Sequence, residues 1–189
     1  MRRFLTTIIS LIFATAVFAQ ETHLKFKGVP IDGSLTEFVS KMKTAGFTHI
    51  GTDNGIAALR GDFAGHKNCI VGVCTVKPLN IVSMIAVMFE NRNDWPDLES
   101  DYNLLKELLT EKYGAPTRVI EEFESSMIDD SDKFLAVQMD ECKWASLFET
   151  ESGKIELLIH SEDFQSRVVL RYHDKINTEK VRKQALEDL

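Results

Sequence analysis

Few residues in this chain have the types and spacing that chemistry needs. His66 stands three positions before Cys69, the one close pairing of two good metal-ligand types. A tetrahedral zinc site takes four such ligands, and no second pair completes the set. Asp129-Asp130-Ser131-Asp132 gathers carboxylates that a hard cation such as calcium would accept. The stretch has neither the bend glycine nor the bidentate glutamate of an EF-hand loop, so solvated loop charge accounts for it. His160-Ser161-Glu162-Asp163 sets base, hydroxyl and acid side by side. Nucleophilic triads assemble from distant segments, so adjacency is no sign of one, and a strand running into a turn explains the run. His173 adjoins Asp174, His23 and His49 stand alone, and no two histidines share an i, i+4 helix face. Gly51, Gly55, Gly61 and Gly65 lack the Gly-Lys-Ser/Thr and Gly-x-Gly-x-x-Gly frames of phosphate loops and read as hairpin punctuation. Trp95, just before a helix, and Trp144, on a strand, are placed for core or helix-end packing, with a share in a binding patch as the other reading. These residues point to no catalytic group, no metal and no cofactor, and an enzyme is the less favoured reading.

Cys69, Cys74 and Cys142 are an odd number, so at most one internal disulfide can form. If Cys69 and Cys74 share a strand, five residues at about 3.3 Å each put their Cα atoms roughly 16 Å apart on opposite faces. A bridge needs them within about 7 Å. Pairing of Cys142 with either stays open, and the simplest reading is three small buried apolar residues.

The first twenty residues set the compartment. Arg2 and Arg3 precede an apolar run from Phe4 to Phe18, interrupted only by Thr6, Thr7, Ser10 and Thr15. That run is short of the roughly 20 apolar residues of a membrane-spanning helix, and it ends in Val17-Phe18-Ala19, which suits a signal peptidase. The expectation is a secretory signal peptide over 1–19, cleaved between Ala19 and Gln20, and a periplasmic or extracellular protein. Gln20 stands where a lipoprotein carries its acceptor cysteine, so no lipid anchor and no stable membrane insertion of the mature chain are expected. The whole chain has 22 Lys and Arg against 29 Asp and Glu, a net charge of −7; losing Arg2 and Arg3 leaves 20 against 29, or −9. So acidic a body repels nucleic acid and anionic membranes at long range. A hydrophobic fraction of 44%, with 12 Phe, is enough for one core.

Two helices should position whatever site exists. Ser34-Leu35-Thr36-Glu37 is a capping box opening a helix over about 35–45, with Leu35, Phe38, Val39 and Met42 on its apolar face. A second helix runs from about Pro96 to Tyr113 and stops at Gly114. Strands are expected at 48–52, 56–63, 69–76 and 81–89 after the first helix. After the second they are expected at 118–123, 143–149, 154–160 and 167–173, with a short helical piece at 134–139. The run 81–89 is apolar on both faces, which predicts a central strand covered on both sides or at a sheet-to-sheet contact. The order predicts an α+β domain over 20–176 with helices on one face of a mainly antiparallel sheet. It is built of two helix-then-strands units, about 24–92 and 93–176, followed by a helical tail over 177–189.

Four stretches carry a resemblance: Phe26-Lys27-Gly28-Val29-Pro30-Ile31-Asp32-Gly33-Ser34, Leu59-Arg60-Gly61-Asp62-Phe63-Ala64-Gly65, Lys112-Tyr113-Gly114-Ala115-Pro116 and Tyr172-His173-Asp174. Together they resemble a group of exported proteins of unknown function from Bacteroides-type bacteria, which implies export and no activity. The element order is similar, in topology alone, to the tandem repeats of the β-lactamase inhibitor protein and of small outer-membrane assembly lipoproteins.

Three functions follow from this reading. The first is a non-catalytic binding module that meets an unknown protein or small ligand through the solvent-facing side of its sheet, with a contiguous patch of exposed aromatics there. The second is a small periplasmic hydrolase or an enzyme inhibitor, with histidine and a carboxylate or hydroxyl converging in a pocket. The third is a carrier of an apolar ligand, with a cavity between helices and sheet.

Overall fold

A computed structural model describes residues 22–76, 79–125 and 128–187. The leader and the Ala19–Gln20 junction lie outside the described residues. Helix α1 (Leu35–Thr44) starts at the capping box: the Ser34 hydroxyl accepts from the Glu37 amide, and the Glu37 carboxylate accepts from the Ser34 amide at 3.0 Å. Helix α2 (Trp95–Tyr113) is capped by Asp94, whose carboxylate accepts from the Asp97 amide at 2.9 Å. Helix α3 (Lys133–Gln138) has 6 residues and helix α4 (Lys175–Glu187) has 13.

Ten strands occur among the described residues. Strands β1 (Lys25–Phe26) and β2 (Val29–Pro30) form a small hairpin. The others are β3 (Thr48–Asp53), β4 (Ile56–Phe63), β5 (His66–Val76), β6 (Ile81–Met88), β7 (Arg118–Phe123), β8 (Cys142–Thr150), β9 (Gly153–Glu162) and β10 (Gln165–Asp174). These eight form one antiparallel sheet in the order β3-β4-β5-β6-β10-β9-β8-β7. The domain is α+β, as the alternation of periods predicts. Strand β5 begins three residues earlier than expected, because the turn before it is only Ala64-Gly65 and Asn68 takes a left-handed φ of 55° within the strand.

Directly paired residues of an antiparallel sheet share a face. Leu59, Val71, Val87, Leu170 and Leu157 lie in one cross-strand row, and Ala57, Val73, Ile85, Tyr172, Ile155 and Phe148 in the next. All eleven are buried, against Phe38, Val39 and Met42 of α1 and Leu98, Tyr102 and Leu105 of α2. This is the core face, where fully burying each large side chain is worth about 1.5–3 kcal/mol. Phe26 brings the β1–β2 hairpin into the core against Phe47, Phe63 and Tyr172. Trp95 packs edge-on against Phe123 and Trp144, so both tryptophans belong to the interior cluster.

Strand β6 is central, between β5 and β10; its core face meets α1, and α4 also contacts the strand, lining a pocket with Lys154 and His173 at one end of the other face. Its other side chains, Met84, Ala86 and Met88, are half-buried on the open side. The apolar run therefore marks something other than a strand enclosed from both sides.

Candidate functional site

Of the residues that sequence singled out, His23 meets Asp174 and Trp95 packs on Trp144, while the cysteines, the acidic loop and the other histidines stay apart. Cys69 and Cys74 share β5 on opposite faces, Cys142 opens β8, and all three are free thiols. Burial raises each thiol above its ordinary range, Cys142 to about 11, so they stay protonated and unreactive at neutral pH. The Cys69 sulfur sits 3.7 Å from the His66 carbonyl oxygen, and the His66 ring lies edge-on to Phe89 instead of aiming at the thiol. In the acidic loop Asp130 pairs with Lys133 at 2.6 Å, and Asp129 and Asp132 are exposed. No group of three or more His, Cys, Asp or Glu side chains able to hold a metal occurs among the described residues. His160 is exposed near the end of β9, and His49 bonds Thr52 at 2.8 Å.

One polar cluster was not legible in the sequence. Asp174, fully buried, accepts from the Leu24 amide at 2.8 Å, the Asn177 amide at 2.8 Å and His23 Nδ1 at 3.0 Å. The other ring nitrogen of His23 faces Asp32 at 3.4 Å, and the Asn177 side chain donates to Asp32 and to the carbonyls of Ile31 and Val82. Burial pushes the Asp32 carboxyl up, but hydrogen bonds from Asn177 and the Gly33 amide, with the charges of His23 and Lys180, bring it below its usual range. Each imidazole nitrogen of His23 thus faces a carboxylate, Nδ1 that of Asp174 and Nε2 that of Asp32. The arrangement is a strap holding residues 22–32 to the end of β10. Its signal in the sequence is Asp174-x-x-Asn177, a helix cap three residues upstream of where the tail helix was expected.

The open face of the sheet is the first surface with the character of a site. One row across it reads Ile70, Met88, Val169, Leu158, Ala145 and Ile120, apolar on six adjacent strands. On β4–β6 the apolar character is two-dimensional: Ile56 and Ala58, then Ile70, Gly72 and Cys74, then Met84, Ala86 and Met88. Ile56 is 47% exposed. On the β7–β10 half charges intervene, with Arg171 paired to Glu156 at 3.2 Å. The face carries no Phe, Tyr or Trp among the described residues, so the expected aromatic patch is replaced by aliphatic and methionine side chains.

No family model, curated protein or solved structure matches this chain.

The second surface is a groove on the helix-bearing side. Its narrow part, about 220 Å³, runs between Phe63, Ala64 and Lys27 on one wall and Leu105, Leu108, Leu109 and Lys112 on the other, over Leu170 and Tyr172. It shares Lys27, Phe63, Lys112, Tyr113 and Tyr172 with a wider part of about 550 Å³ that reaches Thr22, His23 and Ser152. Two tight turns build the first wall: Lys27-Gly28, with φ of 51° and 81°, and Ala64-Gly65, with φ of 50° and 84°. Left-handed pairs of this kind fit the twist of a two-residue hairpin, and glycine at the second position takes the strain off.

Proposed function

We propose that this chain is an exported, non-catalytic binding module that receives a protein partner on the open face of its sheet. The apolar block on β4–β6 carries the reading. Its centre is small, Ala58, Gly72 and Ala86, and its border is pliable, Met84 and Met88. Flat floors with methionine margins adapt to a partner's side chains, and exposed apolar patches of a few hundred Å² mark interfaces. No helix among the described residues is long and apolar enough to cross a membrane, which agrees with a mature body that is not inserted by one.

Export rests on the leader read in the first nineteen residues. We also read the sheet as two related units, α1 with β3–β6 and α2 with β7–β10, set β6 against β10. The support is the strand order, which runs outward from that seam in chain-reversed sequence on both sides. A photoreactive amino acid placed at Ile56 or Ala86 tests the binding reading, with Glu107 on α2 as the control position. In the native envelope the two sheet positions should give one discrete protein adduct that Glu107 does not give. Equal adducts from all three positions, or none from the sheet, would rule the reading out.

A further inference from the structure

We propose that the groove between the two hairpin turns and the C-terminal half of α2 binds a free single-chain carboxylate of fatty-acid type. Its carboxylate lies between Lys27 and Lys112, and its alkyl chain runs along Leu108 and Leu109. This site lies on the face of the sheet opposite the apolar β4–β6 block and does not depend on it.

Charge points to the headgroup. The chain is acidic, net −7, yet Lys25, Lys27 and Lys112 take part in none of the ion pairs formed among the described residues. Lys112 lies 5.0 Å from the centre of the Tyr113 ring, a contact that holds the side chain without neutralising it. The left-handed turn fixes the backbone of Lys27 on the lip of the same groove. Unneutralised ammonium groups beside an apolar slot favour an anion, because low-dielectric walls focus the field. Burial also keeps the Tyr172 hydroxyl protonated, so it remains a donor at the groove floor.

Apolarity points to the tail. Leu170 and Tyr172 floor the slot at 1% and 4% exposure, while Leu108 on its wall is 42% exposed and Leu104, one turn earlier on the same stripe, is 48% exposed. Leu104, Leu108 and Lys112 are spaced i, i+4, i+8, an apolar stripe about 12 Å long that ends at an ammonium. A peptide laid there would bring backbone amides and carbonyls to a slot walled by Leu, Phe and Lys side chains, and buried backbone groups need partners. An alkyl chain brings no such groups. A phosphate ester is better served by arginine forks and backbone amides, and the groove lining contains no arginine.

The test uses the chain from Gln20 to Leu189, which holds every described residue, and sodium dodecanoate below its micelle concentration, followed by calorimetry and by amide chemical shifts. Dodecanoate should bind at one site and shift Ala64 and Leu108, whereas butyrate and dodecyltrimethylammonium should bind at least tenfold more weakly. Lys27→Gln with Lys112→Gln should weaken dodecanoate tenfold or more, and Leu108→Glu should abolish it. Both variants alter exposed side chains and should keep the wild-type melting temperature. Ile56→Glu, on the other face, should leave dodecanoate binding intact whether or not it disturbs a protein partner. Equal affinity for the cationic amphiphile, no effect of the lysine pair, or binding to phosphatidylglycerol vesicles without uptake of dodecanoate overturns the proposal.

Discussion

Replacing Asp174 with alanine should remove a large part of the protein's stability, and the size follows from the strap. The carboxylate is wholly buried and receives two backbone amides, Leu24 and Asn177, each at 2.8 Å, and one imidazole nitrogen. Alanine leaves three donors without an acceptor. His23 is partly exposed and can turn to water, so its share is small. Each buried amide left unsatisfied costs about 1–3 kcal/mol, which sets the expected loss at about 4 kcal/mol. Against a typical total of about 5–15 kcal/mol, that is the difference between a robust domain and a marginal one. Asp174→Asn keeps one carbonyl oxygen but turns an NH2 group toward the remaining donors, and should cost about half as much. Urea unfolding followed by the fluorescence of the packed Trp95–Trp144 pair measures both. With a slope of about 2 kcal/mol per molar, alanine should lower the midpoint by about 2 M. Amide exchange adds a local readout, since Leu24 should lose protection in Asp174→Ala even where the sheet stays protected. A loss below about 1 kcal/mol, or a Leu24 amide as protected as before, would show that the strap does not carry the load assigned to it.

Three further outcomes can be checked. The Asp32 carboxyl is held below its ordinary range, so its contribution is present above its unfolded value of 3.8 and is lost as pH falls through the lower folded one. Asp32→Asn should therefore be less stable than wild type at pH 7, with the gap in unfolding midpoint closing below about pH 4; a constant gap would refute the linkage. The Tyr102 hydroxyl and Ser146 Oγ meet at 2.6 Å with both residues fully buried. Tyr102→Phe and Ser146→Ala should each cost about 1–2 kcal/mol in denaturant, and the double variant should cost less than their sum; strict additivity would mean no shared bond. Cys142 is pushed up from 9.0 to about 11, so at pH 8 its thiolate is about a hundredfold scarcer than when unfolded. Iodoacetamide should modify it correspondingly slowly until urea is added, and mass spectrometry of equal rates with and without urea would contradict that burial.

What was legible in the sequence was local. Ser34 and Glu37 form the capping box their spacing announces, and the alternation of Ile155, Leu157 and Ile159 places those residues on the buried side of β9. Both features depend on neighbours within a few positions. The β1–β2 hairpin escaped because two-residue strands have no period to read; it is held in place by Phe26 entering a core assembled from β4 and β10. The polar strap escaped for a related reason: Leu24 and Asp174 are 150 positions apart, and nothing in either stretch names the other. The open face was anticipated as a surface but not in its composition. Met84, Ala86 and Met88 belong to a run that reads as a strand enclosed on both sides, and only the assembled sheet shows that they stay half-buried on the face away from α1 and α2. The groove lies where two hairpin turns meet a helix from elsewhere in the chain, and nothing near Lys27 or Lys112 in the sequence brings the two together.

The strap has a consequence for how the polypeptide is made. His23 and Leu24 are fastened to Asp174, so the strap cannot close until Asp174, 150 positions after Leu24, has been synthesised. Strand β6, apolar on both sides, likewise waits for β10 before both of its edges are occupied. Contacts of such long sequence separation form slowly, because loop closure must come before they reward it. A nascent chain of this design stays threadable until late, the condition a polypeptide must keep if it is to pass through a narrow channel before it sets.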